Sequence, residues 1–110
     1  MERTLLYRAN LASTNLSYAF AVSADFSSAN LTDVNLTGAT LVGSRLDYAH
    51  LNRADLSRAD LGSATLMFTD LTDANLTGAR NLTTNSLYLT GTIFCRTTMP
   101  DGTINNANCR

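Results

Sequence analysis

Two cysteines are the side chains of this chain with the clearest capacity for covalent chemistry. Cys95 and Cys109 are its only thiols, and they enclose a tail rich in Asn, Thr and Gly. A disulfide between them would close a short loop and tether a segment that buries little apolar area. Two reduced thiols are the alternative, which a reducing compartment would favour. We expect the disulfide and no metal site, because further Cys or His ligands are missing nearby.

Acid–base chemistry has three candidate residues. His50 is the only histidine, and it occupies a row that otherwise holds mainly Asn and Asp, so a structural role is expected. Asp55 and Asp60 could form a catalytic carboxylate pair. They fall on adjacent segments, however, and each is accompanied by an arginine, Arg53 or Arg58. We therefore expect structural ion pairs at these two positions, although exposed pairs contribute little.

A row of hydroxyl side chains could be mistaken for a set of nucleophiles. No base is positioned to activate any of them, so a solvated face is the better interpretation; the row consists of Ser17, Thr37, Ser57 and Thr77. The chain also lacks a Gly-rich phosphate loop or any other nucleotide motif. The sequence therefore predicts a protein that is not an enzyme, with no catalytic residue and no cofactor.

The elements that position these residues follow from a period of five. Twelve of fourteen consecutive positions at this spacing are Leu, and the other two are Ala21 and Phe26. A small residue stands two positions before each of them, usually Ala. The fourteen central positions are 11, 16, 21, 26, 31, 36, 41, 46, 51, 56, 61, 66, 71 and 76.

Neither regular element can use this period. Five residues of a helix advance about 140° beyond a full turn, so the leucines would spread around it. On a strand, successive leucines would point to opposite faces. The pattern suits a chain that turns after each short segment and points every Leu inward. The sequence therefore predicts a solenoid whose neighbouring coils share one core.

The number of segments per coil follows from longer spacings. Residues 31–39 and 71–79 differ at one position and are offset by 40, which fits coils of 20 residues and excludes coils of 15. With 20 residues per coil, Asp33, Arg53 and Asp73 would stack with alternating charge. Asp25 and Arg45 would stack likewise, and a polar ladder would comprise Asn15, Asn35, Asp55 and Asn75.

The motif resembles that of the pentapeptide-repeat proteins, A(D/N)LXX. The best matches are Ala9-Asn10-Leu11, Ala24-Asp25-Phe26, Ala29-Asn30-Leu31, Ala54-Asp55-Leu56, Ala59-Asp60-Leu61 and Ala74-Asn75-Leu76. The resemblance implies an all-β fold, a right-handed quadrilateral β-helix with a β-turn at each corner. Departures in the Asp/Asn row are Phe20, Thr40, Arg45, His50 and Thr65.

We expect a single domain of about four to five coils with a C-terminal cap. Residues 1–8 are a lead-in, 9–80 form the repeat β-helix, and 81–110 form a C-terminal coil and cap. This ending resembles the closure found in pentapeptide-repeat proteins of photosynthetic bacteria. In the last coil a shifted register is predicted, with Leu89 and Phe94 central and Leu87 and Thr92 inward.

The composition limits which kinds of partner the chain is expected to bind. The net charge is −1, all eight basic residues are arginine, and no basic patch suggests nucleic-acid binding. No run of 18 apolar residues predicts membrane insertion. The first residues do not form a secretory signal, although Met1 could be a start added to a trimmed mature chain. The compartment is therefore open: thylakoid lumen or periplasm if the chain is trimmed and holds the disulfide, otherwise cytoplasm.

Three outward residues form a candidate interaction patch: Tyr48, Met67 and Phe68 fall near one corner, one coil apart. Exposed apolar surface can mark a partner site, though surface aromatics can also stack without any partner. We expect a non-enzymatic scaffold that binds an unidentified protein, as a monomer or weak homodimer. The alternative is a DNA mimic that inhibits a DNA-binding enzyme such as gyrase, but this needs an acidic surface that the near-zero charge disfavours.

Overall fold

The coils are held together by single β-bridges between residues 20 apart. The structure, a computed structural model, describes residues 3–83, 85 and 87–109. Parallel bridges join Leu5 to Asp25, Asn10 to Asn30, Asn15 to Asn35 and Phe20 to Thr40, and the series continues to Asp60 and Arg80. Because bridged residues are 20 apart and each segment has five residues, each coil has four sides, as the sequence predicts. Pairing begins at Arg3 and Leu5, within the range predicted as a lead-in, because Leu6 already occupies a central position.

A tight turn forms each corner of the coil. The N–H of the small residue donates to the carbonyl of the central residue three positions earlier, as from Ala29 to Phe26 at 3.0 Å. The residue before the small one has a φ between 56° and 68° at every corner from Arg3 to Gly78. Most of these corner residues are not glycine, so each accepts a left-handed conformation that L-residues disfavour.

Regular strands are short in this all-β chain. Over the described residues the only named strands are β1 (Thr97–Thr98) and β2 (Ile104–Asn105), and no helix is present. They pair antiparallel, with Thr97 opposite Asn105 and Thr98 opposite Ile104. Elsewhere each side contributes one bridging residue between two turns, which is too little for a strand.

The core consists of the central and small rows. Twelve of the fourteen central residues, from Ala21 to Leu76, are buried, as predicted. The prediction fails for Leu11 and Leu16, which are only partly buried. They belong to the first coil, and no described coil covers them on the N-terminal side.

One buried hydroxyl in the small row lacks a hydrogen-bond partner. Ser44 is fully buried, and its Oγ is the only side-chain polar atom in this state among the described residues. Thr69 occupies the same row and donates its hydroxyl to the carbonyl of Leu46 at 2.6 Å. The two positions are therefore a matched pair, one unsatisfied and one satisfied.

Ser44→Ala is expected to raise the free energy of unfolding by about 1 kcal/mol, because it removes a buried polar group that has no partner. Thr69→Val should instead lower it by a similar amount, because a hydrogen bond is lost. Urea denaturation followed by circular dichroism would measure both. A destabilised Ser44→Ala would contradict the assignment of Ser44 as unsatisfied.

The bridge spacing changes near the C-terminus. Asp70 pairs with Ile93 and Asn75 with Thr98, a spacing of 23. The shifted register is confirmed for Leu89 and Phe94, which pack against the core, and for Thr92, which is buried. The prediction is wrong for Leu87, which is 69% exposed. Three extra residues between Asn81 and Leu89 displace the chain there.

The C-terminal tail lies along the outer edge of the last coil. A tight turn at Met99–Gly102 is closed by a hydrogen bond from the Gly102 N–H to the Met99 carbonyl at 2.9 Å. The tail then returns, and the side chains of Asn106 and Asn108 accept the N–H groups of Arg96 and Phe94. Polar side chains of the tail thus accept backbone N–H groups on this edge of the last coil.

Candidate functional site

The side chains of the polar ladder accept hydrogen bonds from the backbone of the corners. Asn15 Oδ1 accepts the N–H of Ser17 at 3.0 Å and its hydroxyl at 2.7 Å. The same double contact recurs from Ser57 to Asp55 and from Thr77 to Asn75. The hydroxyls therefore donate to ladder acceptors. They are structural groups: the one carboxylate among these acceptors, Asp55, has a pKa below its usual range and is therefore a weak base for activating a hydroxyl.

The prediction of ion pairs at Asp55 and Asp60 is wrong. Arg53 contacts the carboxylate of Asp33 in the preceding coil, and neither carboxylate forms an ion pair with a described residue. Burial raises the pKa of Asp55, but hydrogen bonds from Ser57 and Thr37 outweigh it and hold the pKa below its usual range. A hydrogen bond from Asn81 lowers the pKa of Asp60. Both groups stay ionised, which does not suit a general acid at neutral pH.

His50 lies in the ladder, as expected. It forms bridges with Asn30 below and Asp70 above. Burial raises the pKa of Asp70, but hydrogen bonds from Thr72 and Asn52 and the nearby imidazole together lower it. The histidine thus stands between a carboxamide and a carboxylate, and its position fits a structural role.

One corner carries a column of alternating charges. Arg53 forms a two-pronged ion pair with Asp33, with N–O distances of 2.9 and 3.0 Å. Asp73 pairs in the same way with Arg96, at 2.7 and 3.1 Å. The alternation predicted for Asp33, Arg53 and Asp73 is therefore confirmed, and Arg96 extends it. Hydrogen bonds from the guanidinium groups lower the pKa of both aspartates.

Arg53→Gln is expected to return the pKa of Asp33 towards its usual value of about 3.9, because the guanidinium that lowers it is removed. The pKa of Asp73 should rise less, since Arg96 remains. The depressed pKa of Asp33 contributes stability above the unfolded value, and this is lost as pH falls through the folded pKa. NMR titration of the side-chain carboxyl carbons measures both shifts. Arg58→Gln, at another corner, serves as the control and should leave Asp33 unchanged.

The predicted apolar patch is a stack of aromatic rings on a different corner. The Tyr48 and Phe68 rings lie 5.0 Å apart and are nearly parallel, with an interplanar angle of 12°. They are 58% and 48% exposed. Phe68 in turn covers Gly91, where an added Cβ would lie 2.3 Å from the ring. Met67 precedes Phe68 and is partly buried, and its N–H donates to Asp47 at 3.0 Å.

A second aromatic side chain lies on the diagonally opposite corner. Tyr18 covers Gly38, where an added Cβ would lie 2.6 Å from the ring. Tyr18 and Phe20 are exposed and belong to the first coil. They are therefore not part of the Tyr48 patch.

A disulfide joins Cys95 and Cys109, with 4.7 Å between the two Cα atoms. Cys95 is buried and Cys109 is exposed, so the bond ties the tail to the last coil. Two open grooves border Cys109 and share Ile93 and Asn108. The first is lined mainly by apolar residues, and the second includes Asp70 and Arg96. In the second groove the Thr72 hydroxyl donates to Asp70 at 2.6 Å, but the pKa of Asp70 is lowered, so this carboxylate is a weak base for activating a hydroxyl.

The described ranges, 3–83, 85 and 87–109, contain no group of three or more His, Cys, Asp or Glu side chains that could hold a metal ion. No helix in the same part of the chain has the length and apolar character needed to cross a bilayer.

A four-sided solenoid with single β-bridges, tight corners and an inward leucine row defines a class of repeat protein. The sequence matches the family described as pentapeptide repeats in eight copies, over residues 4–43 and 39–78. The chain therefore belongs to the pentapeptide-repeat family. Such proteins are generally non-enzymatic scaffold or interaction proteins.

Several solved structures resemble this chain. HetL, a protein of the cyanobacterium Nostoc involved in heterocyst differentiation regulation, is 32% identical over 96% of this chain and 51% of its own, with a TM-score of 0.40. A second Nostoc pentapeptide repeat protein is 37% identical over 72% of each chain, with a TM-score of 0.47. One from the Arabidopsis thaliana thylakoid lumen is 29% identical over 87% of this chain and 68% of its own, with a TM-score of 0.44.

The chain thus spans about half the length of HetL, at 51%. No curated protein sequence matches it significantly.

Proposed function

We propose that this chain is a non-enzymatic scaffold that binds an unidentified protein through the corner formed by Tyr48, Met67 and Phe68. The observation that carries the proposal is the stacked, half-exposed pair of rings. Aromatic residues and Met are enriched where proteins bind one another. The backbone beneath the rings is paired with both neighbouring coils, so little order has to be gained on binding.

Retention of a partner from an extract of the source organism tests this proposal. The immobilised wild-type protein should retain a partner that the double variant Tyr48→Ser/Phe68→Ser does not. Tyr18→Ser is the matched control, because it removes an exposed aromatic ring from the opposite corner. Equal retention by the two variants would overturn the assignment of this corner. Direct titration with the identified protein should then give at least a tenfold weaker affinity for the double variant.

The second candidate function, a DNA mimic that inhibits an enzyme such as gyrase, remains less favoured. Mimicry of a duplex needs a continuous acidic surface, whereas eight arginines nearly balance nine acids here. The charge column at the Asp33–Arg53 corner alternates in sign and presents no acidic stripe. Inhibition of supercoiling by purified gyrase at micromolar concentrations of this protein would reverse the preference.

We propose further that the chain forms about four to five coils closed by residues 81–110 as a cap. The disulfide between Cys95 and Cys109 supports an oxidising compartment, such as the thylakoid lumen or a periplasm. A thiol count on denatured, unreduced protein isolated from its source tests this placement. Two titratable thiols would favour the cytoplasm.

A further inference from the structure

The two sulfur atoms of the disulfide have different polar neighbours. Arg96 Nη1 donates to Cys95 Sγ at 3.4 Å. Cys109 Sγ instead has the carboxamide oxygen Oδ1 of Asn106 at 3.5 Å. A cation close to a sulfur stabilises its thiolate, whereas a carboxamide oxygen can only accept hydrogen bonds and repels negative charge. When the bond breaks, the charge is therefore favoured on Cys95 and disfavoured on Cys109.

The charge column holds the guanidinium of Arg96 in place beside Cys95. Its Nε and Nη2 atoms donate to the carboxylate of Asp73 at 2.7 and 3.1 Å, which leaves Nη1 for the sulfur. The backbone of Arg96 is fixed as well, because its N–H donates to Asn106 Oδ1 at 2.9 Å. A cation that is already in position needs little reorganisation when a negative charge forms next to it.

The two sulfur atoms also differ in access. A thiolate must approach one sulfur from the side opposite the other, because the forming and breaking bonds lie in line. Cys95 is 7% exposed, which leaves little room for a thiolate behind it. Cys109 lies in the tail, where every residue from Asp101 to Cys109 except Asn105 is exposed. An open groove of about 390 Å³, lined by both cysteines, runs beside the bond.

We propose that this disulfide is a redox-active site, which a dithiol reductant opens by attacking Cys109 and expelling Cys95. One thiol of the reductant loses its proton to solvent, and its sulfur bonds to Cys109 Sγ. The bond between the two cysteines breaks, and its electron pair stays on Cys95 Sγ as a thiolate beside Arg96.

The second thiol of the reductant completes the exchange. Its sulfur attacks the first sulfur of the reductant, and Cys109 leaves and receives the proton of this second thiol through solvent. The reductant is thereby oxidised to a disulfide, and this chain gains two electrons.

Opening of the bond leaves the tail on the last coil through polar contacts. These include the hydrogen bonds from the N–H groups of Phe94 and Arg96 to Asn108 and Asn106, at 3.0 and 2.9 Å. The redox state of the disulfide therefore controls how firmly the last coil is covered. This control goes beyond the proposed scaffold function and does not depend on it, since retention of a partner by the Tyr48 corner is measured on the oxidised protein.

Capture of the mixed disulfide tests the direction of attack on the full, oxidised chain. The protein is incubated with glutathione, a monothiol, and free thiols are then blocked with N-ethylmaleimide. Trypsin cleaves after Arg80 and Arg96, so Cys95 falls in the peptide 81–96 and Cys109 in the peptide 97–110. Mass spectrometry should find at least about tenfold more glutathione on 97–110, because Cys109 is the accessible sulfur.

Equal adducts on the two peptides, or an excess on 81–96, would overturn the proposed direction. A chain that forms no adduct would have a purely structural disulfide, which resists glutathione, and this result would overturn the proposal as a whole. This measurement needs no variant, so it does not depend on whether a substituted chain folds.

Arg96→Gln tests the role of the guanidinium. Reduction of the folded variant by dithiothreitol at pH 7 should be at least about threefold slower than in wild type, because a neutral amide stabilises the leaving thiolate less. The effect is moderate, since the Arg96 side chain is 61% exposed and solvent screens its charge.

Arg53→Gln is the matched control, because it removes a guanidinium from the same charge column, where it contacts Asp33 and neither sulfur. Its rate of reduction should equal that of wild type. A role of Arg96 in packing alone predicts the opposite sign, since a loosened tail would be reduced faster. An Arg96→Gln protein that is reduced at the wild-type rate or faster would therefore overturn the role of Arg96.

Discussion

Leu51→Ala is expected to lower the free energy of unfolding by about 2–5 kcal/mol, because it removes a buried side chain and leaves a cavity. Leu51 is fully buried in the leucine row, with coils on both sides. Neighbouring coils cannot close around the gap, because their positions are held by hydrogen bonds such as Leu51 N–H to the Asp70 carbonyl at 2.9 Å. Urea denaturation followed by circular dichroism measures the loss.

Leu87→Ala is the matched control, with the same chemical change at a residue that is 69% exposed. It should alter the free energy of unfolding by less than about 0.5 kcal/mol. The sequence pattern places Leu87 inward, whereas the structure places it in solvent. A cost equal to that of Leu51→Ala would support the sequence pattern and contradict the structure at this residue.

Cys109→Ser is expected to release the tail from the last coil, at a cost of up to about 3 kcal/mol in the chain-entropy estimate for a short closed loop. The tail has few buried apolar side chains, and it holds the last coil through polar contacts. Without the tether, the amides of Phe94, Arg96 and Met99 should exchange with solvent much faster. The inner coils should keep their protection, because each coil depends mainly on its neighbours.

Hydrogen exchange followed by NMR would resolve these amides one by one. The amide of Leu51 is the internal reference and should exchange at the wild-type rate. Reduction of the wild-type protein should reproduce the effect of Cys109→Ser. Unchanged protection of Phe94 and Arg96 in both cases would mean that the tail holds its place without the disulfide.

The leucine period alone predicts most of this fold. Only a chain that turns every five residues can bury every central side chain, so Leu31, Leu51 and Leu71 had to share a column. Charges spaced by 20 made the same prediction independently at Asp33 and Arg53. These inferences succeed because burial and ion pairing act between residues whose separation the repeat dictates.

The conformation of the corners could not be predicted from residue type. Left-handed backbone favours glycine or asparagine, yet the structure has it at Arg53, Tyr48 and Ser63. Closure of the coil and hydrogen bonds to both neighbours impose it there, at a local cost. The side chains at these positions carry no signal of that constraint.

The last coil was predicted less well, because three extra residues change its phase. Arg96 forms the last ion pair of the charge column, with Asp73. Because these two residues are 23 apart, a comparison of residues 20 apart does not find the pair. The same change of spacing conceals the relation between Phe68 and Gly91, whose lack of a side chain makes room for the Phe68 ring. The Tyr48–Phe68 stack itself was visible, since those residues are 20 apart. A spacing of 23 has no counterpart elsewhere in the sequence.

The alternating charge column limits how this molecule can change in length. Removing residues 41–60 would delete one whole coil and leave the leucine register intact. In the intact protein one coil, which carries Arg53, separates Asp33 from Asp73. The deletion would remove Arg53 and place the two aspartates directly against each other. Between Asp33 and Arg96, only changes of two coils, or 40 residues, preserve the alternation, and 40 is also the offset between the near-identical segments 31–39 and 71–79. The structural repeat is thus one coil, while the electrostatic repeat is two.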